Sequence, residues 1–345
     1  MRPPRRRKRD EMKKFRLFCF AAMIAALPLC AAPRAAADKD PETAGMNFKK
    51  VDKDRFVGVL PPEIRTVAIL TPASKPGKKT VLLGAEMLKR AGLKVKIMDH
   101  ALDDVEPGQK YLPLKGRLED WNQAVDDPEV DMIICTRGGT GAQDLIKVID
   151  WEKFKSRNLT LLGYSNVTML TGAMASIGAG HPVTGPNLSA MVGATDDTLV
   201  WLKKMLAHEP MPPVKLKPVA NRGDAKGPVY GGHLKMLQMV DEGKFHVDTA
   251  GKVIFIECVR REAPELREYL EALRKNGFFD KPAAVVFCYF NRVKDEKAIW
   301  KMLGEFAATL KCPVYRGFPY GHKNRNYALD YTRTAVIKDD TLTFE

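Results

Sequence analysis

The feature that most constrains the fold is a regular alternation of short apolar runs with longer amphipathic segments, beginning near residue 65. Buried parallel strands are continuous apolar runs, and helices usually connect one such strand to the next. The alternation therefore predicts an α/β chain whose first unit is a doubly wound, Rossmann- or flavodoxin-like domain. That unit has predicted strands at 65–71, 94–98, 130–136 and 160–163, and predicted helices at 80–91, 118–125, 142–149 and 167–176.

A smaller α/β unit of swivelling or barrel-like form continues the alternation. One predicted helix follows Gly231-Gly232, and short strands close the chain near 314 and at 334–337. Between them lie predicted strands at 252–257 and 283–289 and predicted helices at 263–276 and 296–310. A Pro- and Lys-rich stretch separates the two units and is predicted to be a linker or a connecting strand. The predicted boundaries are a tether at 38–62, a first domain at 63–207, a linker at 208–227 and a second domain at 228–345.

The N-terminus has the pattern of a secretory signal peptide. Basic residues at 12–16 precede an apolar run at 17–29, and Ala35-Ala36-Ala37 supplies the small residues of a cleavage site. The apolar run is too short to span a bilayer comfortably. We therefore expect an exported, periplasmic protein that begins at Met1 or Met12 and is cleaved near Ala37.

The formal net charge of +14 is concentrated in that N-terminal segment. Residues 1–37 hold ten Lys or Arg and two acids, which leaves 46 basic and 40 acidic residues, a net charge of +6, for the rest. A charge of that size is compatible with an anionic ligand and with simple solubility. No basic stripe is interleaved with aromatic residues, which argues against a nucleic-acid partner.

Four cysteines remain after the expected cleavage: Cys135, Cys258, Cys288 and Cys312. Three of them lie in apolar, strand-like runs, where a free cysteine packs as a small hydrophobe. We therefore expect buried free thiols. Neither a CxxC pair nor a metal-spaced Cys/His cluster is present, so the sequence predicts no metal and no cofactor.

Ligands of open α/β sheets bind at the carboxyl ends of the strands, so the turns after the strands are the candidate sites. The third predicted strand ends in Arg137-Gly138-Gly139-Thr140-Gly141, which is typical of an oxyanion hole, of an anion cradle or of a tight turn that needs glycine. The fourth ends in Gly163-Tyr164-Ser165-Asn166. A serine at such a turn is either a nucleophile or the cap of the following helix, and the complete G-x-S-x-G pattern is absent because position 167 is Val.

Three later residues are also candidates. Glu257 ends an apolar strand, where a carboxylate needs a partner unless it is a surface acid at the start of a helix. His322 follows a glycine in a loop before the last strands, and His233 follows Gly231-Gly232, where it could line a cleft.

Taken together, these segments resemble the LD-carboxypeptidase family of serine peptidases, whose members include muramoyl-tetrapeptide carboxypeptidases. The resemblance runs from about residue 66 to the C-terminus. Its landmarks are LTPAS (70–74), RGGTG (137–141), DWEKF (150–154), GYSNVT (163–168), TGPNL (184–188), GGHLKML (231–237), FIEC (255–258) and GFPYGH (317–322).

The resemblance implies a catalytic triad of Ser165 as nucleophile, His322 as base and Glu257 as orienting acid. The amide of Asn166 and one from Gly138 or Gly139 would stabilise the oxyanion. It also implies removal of the terminal D-alanine from peptidoglycan tetrapeptide stems, by hydrolysis of an L,D-bond, in cell-wall remodelling or recycling. A homodimer is suggested by the same resemblance.

Substrate contacts are expected from residues around the cleft. Arg137 is a candidate ligand for the terminal carboxylate, with a structural role in its loop as the alternative. Thr140 and His233 are further candidates. Both depart from the family pattern, which commonly has Tyr and Asn there, and Asn166 and Cys258 stand where Asp is common, so the exact substrate stays open.

Two alternative functions remain at this point. One is a peptidase of the same fold that resembles the microcin C self-immunity peptidases and would stack a nucleobase on an aromatic residue, for which Trp201 is a candidate. The other is a non-catalytic exported binding protein with a ligand cleft between two α/β units.

Overall fold

The structure is a computed structural model that describes residue 43 and residues 46–345. The predicted signal peptide at 1–37 and the start of the predicted tether lie outside the described residues. In the part of the chain that is described, no helix has both the length and the apolar character needed to cross a membrane.

The described chain folds into two sheets and the helices that cover them. The strands are β1 (Thr66–Leu70), β2 (Lys94–Ile97), β3 (Met132–Cys135), β4 (Thr160–Gly163), β5 (His181–Thr184), β6 (Val214–Lys215), β7 (Lys217–Ala220), β8 (Ala225–His233), β9 (Val253–Val259), β10 (Ala284–Asn291), β11 (Val314–Arg316), β12 (Leu329–Asp330), β13 (Thr334–Lys338) and β14 (Thr341–Phe344). The helices are α1 (Lys78–Arg90), α2 (Leu114–Asp126), α3 (Ala142–Leu145), α4 (Trp151–Arg157), α5 (Thr168–Ile177), α6 (Leu188–Val192), α7 (Asp196–Leu206), α8 (Leu234–Asp241), α9 (Ala263–Lys275) and α10 (Glu296–Ala307).

The first sheet has the order β2-β1-β3-β4-β5-β12, and all its neighbours are parallel except β5 and β12. An order of 2-1-3-4-5 is that of flavodoxin-like sheets. The side chains of β1 alternate between two apolar cores. Val67 and Ile69 pack on one face of the sheet, and Ala68 and Leu70 pack on the other. Both faces are therefore covered, and the predicted doubly wound sheet is confirmed.

The second sheet has the order β6-β14-β13-β8-β9-β10-β11-β7. Its central strands β8 to β11 are parallel, so the carboxyl ends of β9 and β10 share one edge. The outermost strands β6 and β7 are separated in sequence by Leu216 alone. The sheet must curl until its two edges are neighbours, which produces the nearly closed, barrel-like form that the sequence predicts.

Two predicted boundaries need correction. For the stretch 208–227, predicted as a linker or a connecting strand, the linker is wrong and the strand is confirmed, because the stretch supplies β6, β7 and the start of β8. Its proline and lysine residues are compatible with this role, since Pro218 lies in an edge strand, where a missing N–H is tolerated. The C-terminal region is also not confined to the second sheet, because β12 pairs with β5 of the first.

The predicted tether is wrong for residues 46–62. Phe56 and Val59 are only 1% and 5% exposed and belong to the larger apolar core. The Arg55 guanidinium donates to the Ala194 carbonyl at 2.7 Å. Burial of two apolar side chains and this hydrogen bond fix the segment to the fold, despite its polar composition.

Substitution Phe56→Ala is expected to reduce the free energy of unfolding by about 3–5 kcal/mol, because it removes a fully buried aromatic side chain and leaves a cavity. The neighbouring Val57 is 59% exposed, so Val57→Ala is the matched control and should change stability by less than about 0.5 kcal/mol. Chemical denaturation of both variants tests this. Equal stability of the two would mean that the segment is a tether after all.

Candidate active site

Three polar side chains from distant parts of the chain meet at the carboxyl ends of the strands. Ser165 follows β4, Glu257 lies near the end of β9, and His322 lies in the loop between β11 and β12. The His322 Nε2 is 3.0 Å from the Ser165 Oγ, and its Nδ1 is 2.8 Å from the Glu257 Oε2. The imidazole therefore bridges a hydroxyl and a carboxylate, with hydrogen-bonding distances on both sides.

The backbone at Ser165 is left-handed, with φ of +63°. This conformation is unusual for a residue with a side chain and turns the chain sharply from β4 into the 3-10 helix Ser165–Val167. Gly163 makes the turn possible, since a Cβ there would lie 2.8 Å from the Val167 Cγ1. Ser165 is thus not a helix cap that bonds backbone amides; its hydroxyl contacts His322 instead.

Glu257 is completely buried. Its Oε2 accepts from the His322 ring, whereas its Oε1 has no hydrogen-bond partner in the described structure. Gly321 packs against the carboxylate so closely that a Cβ at this position would lie 2.8 Å from Oε2. Because a buried carboxylate is costly without a partner, the imidazole is the group that makes this position tolerable.

Asparagine residues that the sequence analysis did not identify hold the His322 loop. The Asn291 side-chain amide donates to the His322 carbonyl at 2.7 Å, and the Gly321 amide donates to the Asn326 Oδ1 at 2.9 Å. The ring of buried Tyr164 lies 4.9 Å from the imidazole, centroid to centroid. The one sequence signal for this role in holding the His322 loop is that Asn291 lies near the end of a predicted strand.

The glycine-rich turn after β3 lies directly against Ser165. A Cβ at Gly138 would be 3.0 Å from the Ser165 Oγ, and one at Gly139 would be 2.2 Å from the Ser74 Oγ. In the described structure, the amides of Gly138, Gly139 and Asn166 donate no hydrogen bond to another protein group. Amides without a protein acceptor, in the turn that contacts Ser165 and in the residue that follows it, are the kind of donor that an oxyanion hole needs.

Side chains around this turn hold its shape. The Asn166 Oδ1 accepts from the Ala142 amide at 2.8 Å, and the Thr140 amide donates to the Ser74 Oγ at 3.0 Å. Arg137 donates through one terminal nitrogen to the Lys75 carbonyl at 3.2 Å, while its buried Nε has no partner in the described structure. Arg137 therefore has a structural role in its loop, which was one of the two predictions for it. Its Nε is still without a hydrogen-bond acceptor in the described structure.

A cavity of about 410 Å³, here called the Ser165 cleft, opens above these groups. Every predicted site residue except the buried Glu257 lines it. The described lining contains five cationic side chains and no acidic one. The lining cations are Arg137, Lys235, Arg260, Arg261 and Arg292.

His233 also lines the cleft, where it is 7% exposed and its ring centroid lies 5.8 Å from that of His322. Its Nδ1 has no partner in the described structure, and its Nε2 lies 3.6 Å from the Cys258 Sγ. Burial lowers the pKa of His233 to about 4, so the ring is neutral near pH 7.

Two further predictions are decided by burial. Trp201 is 3% exposed, stacks on Tyr327 and donates to the Ala328 carbonyl, so it does not face the cleft and cannot stack a nucleobase there. The prediction of buried free thiols is confirmed for the described cysteines, Cys135, Cys258, Cys288 and Cys312.

Comparison with known proteins agrees with this fold. A family model described as the LD-carboxypeptidase N-terminal domain matches residues 67–181, and one described as the LD-carboxypeptidase C-terminal domain matches residues 226–337. A probable murein peptide carboxypeptidase of Bacillus subtilis is 28% identical over 287 residues, which cover 79% of this chain and 88% of that protein. A murein tetrapeptide carboxypeptidase of Pseudomonas aeruginosa is 27% identical over 300 residues, which cover 80% and 94%.

Among solved structures, the crystal structure of muramoyltetrapeptide carboxypeptidase from Oxalobacter formigenes superposes with a TM-score of 0.72. The match has 21% identity and covers 81% of this chain and 97% of that one, so it supports the fold. The fold, the geometry of the site and the curated relatives together indicate the class of protein, which is a hydrolase that acts on peptide bonds. The chain belongs to the LD-carboxypeptidase family.

The buried neutral His233 should make stability depend on pH. Its pKa is about 4 when folded and about 6.5 when unfolded, so between these values the unfolded chain binds a proton that the folded chain does not. Stability should therefore fall as the pH decreases through this window, by about 3 kcal/mol in total from this group. His233→Asn should lose that part of the pH dependence, as measured by denaturant unfolding at pH 7 and pH 4.5. An unchanged dependence would contradict a neutral, buried ring.

Proposed function

We propose that this protein is a serine carboxypeptidase that removes the terminal D-alanine from peptidoglycan tetrapeptide stems. The observation that carries the proposal is the continuous pair of hydrogen bonds from the Ser165 hydroxyl through His322 to the buried Glu257. The names of the curated relatives support the substrate class, since they describe murein peptide and murein tetrapeptide carboxypeptidases.

The proposed reaction begins when the Ser165 Oγ attacks the carbonyl carbon of the last peptide bond. His322 Nε2 accepts the hydroxyl proton and then donates it to the leaving amine, so that D-alanine departs and an acyl-enzyme remains. A water molecule then gives a proton to the same nitrogen as it attacks the ester carbonyl, and His322 returns that proton to the departing Ser165 Oγ, which releases the shortened peptide and regenerates the hydroxyl. Glu257 keeps Nδ1 protonated and stabilises the imidazolium that forms in each step.

Charge develops on the carbonyl oxygen in both steps. The amides of Asn166 and of Gly138 or Gly139 are the proposed donors, because Asn166 follows Ser165, the glycine turn packs against Ser165, and these amides bond to no other described protein group. A donor of this kind typically contributes about 10²–10³-fold to the rate, equivalent to roughly 3–4 kcal/mol.

The cleft is also suited to the charge of the proposed substrate. A stem peptide ends in a free carboxylate, and the described lining of the Ser165 cleft is entirely cationic or neutral. Arg137 is the proposed ligand for a carboxylate next to the scissile bond, since it adjoins Gly138 and has a buried Nε without a partner. Thr140 and His233 would contact the remainder of the peptide from the two sides of the cleft.

Substitution Ser165→Ala is expected to lower kcat/KM for D-alanine release by about 10⁴–10⁶-fold, because the nucleophile is lost. Peptide affinity should remain nearly unchanged, which separates a catalytic from a purely binding role. The matched control is Ser156→Ala, which removes an exposed hydroxyl on α4 and should leave the rate unchanged. D-alanine release from purified muropeptides is measured with a coupled amino-acid oxidase. No release by the folded wild-type protein would refute the proposed function.

Substitution Glu257→Gln is expected to lower kcat by about 10⁴-fold with little change in KM, because an amide does not hold the required tautomer or stabilise imidazolium. Thermal unfolding of the variant provides the control for folding. If kcat fell less than tenfold in a folded variant, Glu257 would be a structural acid and the proposed triad would be wrong.

We further propose that the protein acts outside the cytoplasmic membrane, on the basis of the basic and apolar segments at 12–16 and 17–29 and the alanines before residue 38. Fusion of residues 1–37 to mature β-lactamase should give periplasmic enzyme. The same fusion with Ile24→Arg, which interrupts the apolar run, should not be exported. Cytoplasmic retention of the unmodified fusion would contradict export.

A further inference from the structure

Two arginine residues stand side by side where adjacent strands of the second sheet end at the Ser165 cleft. Val259 of β9 and Asn291 of β10 are the last paired residues of this parallel pair. Arg260 and Arg292 come immediately after them, and the Arg260 amide donates to the Asn291 carbonyl at 3.1 Å. The strand register therefore places the two arginines next to each other, and both line the cleft.

Both arginines have a left-handed backbone, with φ of +58° at Arg260 and +56° at Arg292. Residues with a Cβ adopt this conformation at an energetic cost, and glycine is the usual occupant. Strained residues of this kind cluster at ligand-binding sites, where the surrounding structure maintains them. Two matched examples therefore stand at neighbouring strand ends on the lining of the Ser165 cleft.

The two guanidinium groups are also uncompensated by the protein. In the described structure, neither forms a side-chain hydrogen bond or an ion pair, whereas the adjacent Arg261 pairs with Glu265 at 3.1 Å. The nearest acid in sequence, Glu262, instead accepts from the Lys294 amide at 3.2 Å. Like charges side by side without a counterion repel each other, and an anion bound between them removes that repulsion.

We propose that Arg260 and Arg292 form a carboxylate-binding subsite for the peptide substrate, an inference that rests on the proposed function. Guanidinium groups bind carboxylates through paired, charge-assisted hydrogen bonds. Asn291, which precedes Arg292 and accepts from the Arg260 amide, also donates to the His322 carbonyl, so the subsite is tied to the wall that carries the imidazole. Its ligand is a carboxylate of the stem, either that of the leaving residue, which it would then share with Arg137, or the one on the side chain of the residue before it.

Calorimetric binding to Ser165→Ala protein tests the subsite without turnover. Three synthetic tetrapeptides distinguish the two sources: the diaminopimelate stem ending in D-alanine, its C-terminal amide, and the stem with lysine in place of diaminopimelate. Arg260→Gln and Arg292→Gln should each raise the Kd of the first peptide about tenfold, with a larger effect in the double variant. Arg267→Gln on α9, which removes an exposed charge paired with Glu305, is the control and should bind normally.

The peptide that lacks the recognised carboxylate identifies the source. The protein that keeps both arginines should bind this peptide with a Kd about tenfold higher than that of the first peptide. The double variant should not raise that Kd further. Equal losses of affinity for all three peptides in the arginine variants would mean a general effect of charge. Losses of affinity below twofold would mean that the arginines do not contact the peptide. Either result overturns the subsite.

Glycine variants keep the test valid if the glutamine variants fold poorly. Arg260→Gly and Arg292→Gly suit the left-handed backbone, so they should retain the wild-type melting temperature while losing the same affinity. Failure of the proposed function is recognised separately, because wild-type protein would then release no D-alanine. If the wild-type enzyme releases D-alanine and the double variant keeps its KM, only the subsite is wrong.

Discussion

The hydrogen bond between the buried Glu257 carboxylate and His322 is the interaction on which the rest of the site depends. A carboxylate without solvent is tolerated only beside a donor, and the imidazole supplies that donor at 2.8 Å. The pair joins the second sheet, which carries Glu257, to a loop that also reaches Ser165 of the first sheet. A displacement of β9 would therefore also move the His322 imidazole away from the Ser165 hydroxyl.

Close backbone approach is the second requirement of this geometry. Gly138 contacts the Ser165 side chain and Gly321 contacts the Glu257 carboxylate, and in both places a Cβ would clash. The same absence of side chains leaves amide groups free beside Ser165. The described lining of the cleft above them has five cations, whereas the Glu257 carboxylate is buried below its surface. An anionic peptide thus meets a favourable field, and the charge of Glu257 is reserved for His322.

Much of the secondary structure was predictable because apolar runs are local signals. β4 agrees with its predicted bounds, and β1, β2, β9 and β10 agree within about two residues. β12 was not predicted, and for β6 and β7 the sequence did not distinguish a linker from a strand, because strands this short have no periodicity and are defined by their partners. The burial of Phe56 and Trp201 was missed for a similar reason: a polar or charged neighbourhood in sequence does not show which side chain faces a distant core.

From the sequence came most of the alternation of strands and helices, the glycine-rich turns, and the residue types that resemble a peptidase site. Only the tertiary structure decided that these residues meet, since Ser165 and His322 are 157 positions apart and Glu257 is 65 from His322. The physical reason is that local sequence fixes backbone propensities, whereas the distance between two strand ends depends on how separate sheets pack. The matched pair of Arg260 and Arg292 likewise became visible only through the register of β9 and β10.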